Sequence, residues 1–104
     1  MFTVSTGELE MRKELLKTEH ILNIENDVAT CWFDLGIALG IRTKILRGIE
    51  DYRPNQEKAH QVLEIWQEQN GREATVGRLA SALMRIKHKR IADKLLGMYM
   101  VFLQ

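Results

Sequence analysis

Between Asn70 and Leu83 the chain reads NGREATVGRLASAL, with two glycines, a hydroxyl and a guanidinium close together. That set could cradle a phosphate. A phosphate loop needs G-x-x-x-x-G-K-[ST] after a strand, so that backbone N–H groups, an ammonium and a magnesium-binding hydroxyl converge on the anion. Here Gly71 and Gly77 are one residue too far apart, and Arg78-Leu79 stands where Lys-Ser/Thr should. The residues before Gly71 have a helical period rather than a strand's, and G-x-G-x-x-G is absent. The stretch therefore reads as a corner between helices. Gly71 terminates one helix, Thr75 caps the next, and Gly77 lets that next helix pack closely.

The other reactive side chains are isolated. Cys31 precedes Trp32 on an apolar segment with no base beside it, the setting of a structural thiol. His20, His60 and His88 lack H-E-x-x-H or C-x-x-C spacing, and the expectation places them at the surface or its boundary. No carboxylate sits in an apolar setting that would suit acid–base work. Trp32 and Trp66 each head or end an apolar stripe and read as core anchors. The sequence points to no catalytic residue, no cofactor-binding residue and no metal ligand.

The elements that would hold these residues are helical. The chain has 104 residues, 45% of them hydrophobic, which suits one domain with its own core. After Pro54, Ala59, Val62, Leu63 and Trp66 form an i, i+3, i+4, i+7 stripe, with Asn55 as expected N-cap. Val76, Leu79, Ala80 and Leu83 repeat the spacing. Upstream, CWFDLGIALGI gives a short helix with Trp32, Leu35 and Leu39, ended by Gly40. Thr43 is expected to cap a helix carrying Ile45, Leu46 and Ile49, which must stop before Pro54. Ile21, Ile24 and Val28 mark an earlier helix, and Ile91, Ala92 and Leu95 a last one from about His88. Ser5 and Glu8 suggest a capping box for a leading helix with Leu9, Leu15 and Leu16. The count is six helices, with a possible seventh in front.

One cysteine excludes an internal disulfide and fits a reducing compartment. MFTVSTGELEM has no basic region followed by an apolar run, so no secretory signal is expected. LLGMYMVFLQ falls short of the roughly 20 residues that span a bilayer, so it reads as the partly buried tail of the last helix and no membrane insertion is expected, the alternative being a cut-off membrane segment.

VLEIWQEQNGREATVGRLASALMRIKHKRIADKL resembles the second half of a death domain. Val62, Leu63 and Trp66, then Gly71, Ala74 and Thr75, then Leu79, Ala82 and Leu83, then Ile91, Ala92 and Leu95 stand at that family's places. The first half agrees through Trp32, the LGI of Leu39–Ile41, and Ile45, Ile49 and Glu50. The likeness covers residues 19–96, leaving residues 1–18 as an N-terminal extension or leading helix and 19–104 as the domain. It implies an all-α, six-helix antiparallel Greek-key bundle without catalysis. It further implies cytoplasmic signalling, in apoptosis or innate immunity, by pairing with other death domains of the same or another kind.

The family's contacts fall on the second-to-third-helix region, the fourth helix and the corner before the last helix. By the resemblance these hold Arg42, Lys44 and Arg47; Glu64, Gln67 and Glu68; and Lys87, His88, Lys89 and Arg90. The distribution of charge along the chain allows faces of opposite sign, the alternative being that folding interleaves the charges. Residues 1–69 carry eight Lys/Arg against twelve Asp/Glu, a net −4, and residues 70–104 carry seven against two, a net +5. The alternative is a nucleic-acid-binding helical domain that sets Arg85–Arg90 on phosphates. An overall charge of only +1 and the lack of a basic stripe along one helix weigh against it, so no nucleic acid is expected. A sterile alpha motif shares the LGI turn but not the Trp66, Gly71, Ala74-Thr75 series.

Overall fold

The apolar stripes lie on helices, and those helices stop where the sequence supplies a stop. The computed structural model describes residues 13–50 and 53–103, residues 98–103 by backbone alone. Among them are six α-helices: α1 (Thr18–Ile24), α2 (Trp32–Ala38), α3 (Thr43–Ile49), α4 (Asn55–Asn70), α5 (Val76–Arg85) and α6 (Lys89–Leu103). Single 3₁₀ turns at Ala29–Cys31 and Gly71–Glu73 lead into α2 and α5.

Helix α4 buries Ala59, Val62, Leu63 and Trp66 along one side. It ends because Gly71 takes φ +52°, a left-handed angle that a side chain disfavours. Thr75 then caps α5, its Oγ1 accepting the Arg78 N–H at 3.1 Å, an interaction worth about 1 kcal/mol. Val76, Leu79, Ala80 and Leu83 of α5 all face the core. Helix α5 packs on α6, α2 lies against both α4 and α5, and α1 lies against α6 and α4. Helix α3 meets α2 where Gly36 leaves no room for a methyl: a Cβ there would stand 2.4 Å from Leu46 Cδ2.

Two caps lie one residue earlier than the sequence suggests. Pro54 and Arg42, not Asn55 and Thr43, are the N-caps of α4 and α3, and neither makes a side-chain cap hydrogen bond. Both keep extended ψ angles (147° and 137°), so the extended-to-helical switch falls just after them. Asn55 and Thr43 are already in the helix.

The larger correction is at the end of the expected leading helix, over Leu15 and Leu16. Ser5, Glu8 and Leu9 lie outside the described residues, but Leu15 and Leu16 are extended, not helical. Leu15 stands opposite Thr75 in an antiparallel bridge. Leu16 N–H donates to the Ala74 carbonyl at 2.9 Å, and Val76 N–H donates to the Glu14 carbonyl at 2.8 Å. Gln67 Nε2 adds a bond to the Leu16 carbonyl at 2.7 Å. The segment is a strap over the α4–α5 corner, with Leu16 buried in the core and Leu15 facing outward. This pairing also serves Val76 N–H, one of the donors that a helix start leaves without an internal partner.

Candidate interaction surfaces

The basic corner between α5 and α6 is a closed turn. Lys87 N–H donates to the Met84 carbonyl at 3.0 Å and His88 N–H to the Leu83 carbonyl at 2.8 Å. That pair of bonds is the Schellman closure, whose left-handed position is usually glycine. Here it is Lys87, at φ +66°. Ile91 and Ala92 N–H both donate to the His88 carbonyl, so α6 starts without a flexible link. Lys87, Lys89 and Arg90 are exposed and His88 is half-buried. Lys89 Nζ lies 3.6 Å from Asp93 Oδ2, an exposed pair of small energetic weight. Arg85 turns back instead: Nη1 donates to Ser81 Oγ at 2.9 Å and Nη2 to the Ala38 carbonyl at 3.1 Å. It ties the corner to the end of α2.

Arg42, Lys44 and Arg47 are all exposed on α3 and at its start. Glu64 and Glu68 are exposed on α4, one turn apart. Gln67 differs, because its amide is committed to the strap. The sequence offered no sign of this, since the partner is a backbone carbonyl 51 residues away.

Beside Glu64 lies a polar cluster that sequence reasoning also missed. Glu25, buried at the end of α1, accepts Gln56 Nε2 at 2.8 Å and meets His60 Nδ1 at 2.5 Å. His60 Nε2 lies 3.2 Å from Glu64 Oε1. Neutral imidazole has one N–H and can donate to only one of these carboxylates, whereas the protonated ring serves both. Burial opposes charge on Glu25, but the Gln56 and His60 hydrogen bonds and the His60 charge prevail and hold its carboxyl below the ordinary value. A carboxyl lowered by folding contributes stability that is present above its unfolded value and lost as pH falls through the folded one. Glu25→Gln should therefore destabilise at pH 7, by about 1–3 kcal/mol for hydrogen bonds to a charged group. Its deficit against wild type should shrink as the pH drops below about 4.5, as urea melts across that range would read.

His20 is buried, contrary to the surface expectation, because its ring closes the start of α1. Its Nδ1 accepts the Lys17 N–H at 2.9 Å. Burial lowers its pKa, with Glu19 opposing and Lys17 adding to the shift. His60 and His88 are half-buried. Burial, helped by Asp34, pushes the Cys31 thiol up, away from the thiolate that a nucleophile needs. Among the described residues no three His, Cys, Asp or Glu side chains are grouped to hold a metal ion. Among the described residues no helix is long and apolar enough to cross a membrane.

The death domain family model matches residues 17–99, from the start of α1 to well within α6. The chain belongs to the death domain family. No curated protein and no solved structure gives a match. The six helices of this death domain thus form a protein–protein interaction module of signalling proteins, a fold that works by docking rather than by chemistry. The matched region contains both of the charged helices and the basic corner, while the strap residues Glu14 to Leu16 lie ahead of it.

Proposed function

We propose that this death domain recruits other death domains in cytoplasmic signalling of the apoptotic or innate-immune kind, through exposed patches of opposite charge. The basic patch is the corner of Lys87, His88, Lys89 and Arg90, and the acidic one is the α4 face of Glu64 and Glu68. Arg42, Lys44 and Arg47 offer a third surface. Gln67 contributes through the strap it holds rather than as a free donor.

The observation that carries this reading is the closed corner. Its turn is fixed by backbone bonds before any partner arrives, so three outward cations are presented with little conformational entropy left to lose. Unlike patches pair heterologously, which allows a chain of modules to grow.

Charge reversal tests it. The double variant Lys89→Glu/Arg90→Glu touches only exposed side chains and should leave the melting temperature within a few degrees of wild type. Binding to an acidic death-domain partner should weaken at least tenfold, about 1.4 kcal/mol. Wild-type binding should also fall as salt rises. Titration calorimetry that finds the variant binding as tightly as wild type would overturn the assignment of the corner.

A further inference from the structure

We propose that Arg78 and Arg85 hold one phosphate group in a small pocket between α5 and the ends of α2 and α4. The site is separate from the recruiting patches above, since Arg78 belongs to none of them. It works through side chains and not through a phosphate loop.

The pocket is lined by Ala38 and Leu39 at the end of α2, Trp66 and Asn70 in the last turns of α4, and Arg78 and Arg85 of α5. Asn70 and Arg78 come from the stretch whose glycines fail the loop pattern. Arg78 and Arg85 are two helical turns apart, so they share one face of α5. Arg85 is held by Ser81 Oγ at 2.9 Å and by the Ala38 carbonyl at 3.1 Å, both neutral acceptors. The second bond covers an oxygen that would repel an anion. Asn70 Nδ2 covers another, donating to the Trp66 carbonyl at 2.9 Å. No carboxylate is among the residues of the lining. Two competitors sit outside it. Glu73 Oε2 is 2.9 Å from Arg78 Nη2, and Asp34 shares the adjoining groove with Arg85.

Size and charge select the ligand. The cavity is about 100 Å³, several times the ~10–15 Å³ that one water needs by the same measure. It is well below the roughly 300 Å³ at which pockets for whole organic ligands begin. One phosphate group fits both limits. On a monoester it carries a charge of about −1.5 to −2 near pH 7, against two guanidiniums. A guanidinium meets such oxygens two at a time and stays charged at any working pH. Glu73 competes for Arg78, but the side chains of that pair are 48% and 64% exposed, and pairs so exposed are weak. A bound anion can therefore share or displace it.

The test is a titration of the full chain with inorganic phosphate, followed by heteronuclear NMR at an ionic strength held constant with sodium chloride. Resonances of Arg78, Arg85 and the Trp66 indole N–H should move together and saturate, while the Trp32 indole N–H stays in place. Arg78→Gln changes an exposed side chain, so the variant should fold, and it should bind phosphate about tenfold more weakly. Glu73→Gln releases Arg78 and should tighten binding about two- to fivefold. Glu19→Gln makes the same change of charge on α1, outside the lining, and should do neither. Circular dichroism checks the fold of all three. Vesicles of phosphatidylcholine, with and without phosphatidylinositol bisphosphate, then identify the source of the phosphate. Binding to the second lipid alone that needs Arg78 assigns it to a headgroup; a saturable titration without vesicle binding assigns it to a soluble phosphate. Three results would sink the proposal: shifts that never saturate, shifts that spread equally over the Lys87–Arg90 corner, or a response unchanged by Arg78→Gln.

Discussion

Trp66→Ala should remove about 3–5 kcal/mol of stability, the largest loss expected from any single truncation in this domain. A small domain has only about 5–15 kcal/mol in total, so the variant should be partly unfolded at 37 °C. The reason lies in where the indole sits. It is 3% exposed on the inner side of α4, in one apolar core with Leu63, Leu79 and Leu83. Alanine would leave a void that neighbouring helices cannot close without breaking their own packing. Trp66→Phe should recover part of the loss. Chemical denaturation followed by circular dichroism measures both, and Trp32, the only other tryptophan, provides a fluorescence signal in either variant. A midpoint for Trp66→Ala near that of wild type would show that the core does not depend on this anchor.

Removing residues 1–16 should be nearly as costly. The family match begins at residue 17, which invites a chain trimmed there. Such a chain loses Leu16, 5% exposed in the core, worth about 1.5–3 kcal/mol. It also loses the backbone bonds at Ala74 and Val76 and the Gln67 bond, each worth about 0.5–1.5 kcal/mol net. Solvent will satisfy some of those groups, so the expected cost is about 3–5 kcal/mol. For a domain of this size that lowers the melting temperature by upwards of ~10 °C. Leu16→Asp in the full chain should come close to the same loss, because a carboxylate would enter the core without a partner. Leu15→Asp should be mild, since that side chain faces outward. If deletion and Leu16→Asp both melt where wild type does, the strap is an ornament and not part of the core.

How much of this could be read from residues alone depended on the range of the interaction. Helices α4 and α5 were legible because their stripes repeat every three or four residues, and burial follows that spacing. Gly40, Gly71 and Thr75 were legible because each does a local job: a left-handed stop or a cap. The strap was not. Leu15 and Leu16 are neighbours, and two adjacent leucines fit a helix as well as a short strand until the pairing with Thr75 is known. Asn55 and Thr43 have the right side chains for caps, but the backbone turns helical one residue before each could serve.

The surfaces divide the same way. Charges at Lys89, Arg90, Glu64 and Glu68 were expected outside and stand there. Their pairing with a partner rests on a proposal. Contacts between distant parts of the chain left no trace in the sequence: Glu25 with His60, Gln67 with Leu16, Arg85 with Ala38. The outward placement of Leu22 and Ile37 was equally silent, because helical spacing does not tell an outward aliphatic side chain from an inward one at the edge of a stripe.

Lys87 carries one more consequence. Its left-handed angle costs a side-chain-bearing residue about 1–2 kcal/mol, and glycine would escape that strain while gaining about 0.4–1 kcal/mol of extra freedom when unfolded. Lys87→Gly should thus leave the melt unchanged or raise it slightly. The same change strips an ammonium from the proposed recognition surface. Selection for heat resistance alone would drift toward glycine at this site, and the tougher protein would be the poorer recruiter.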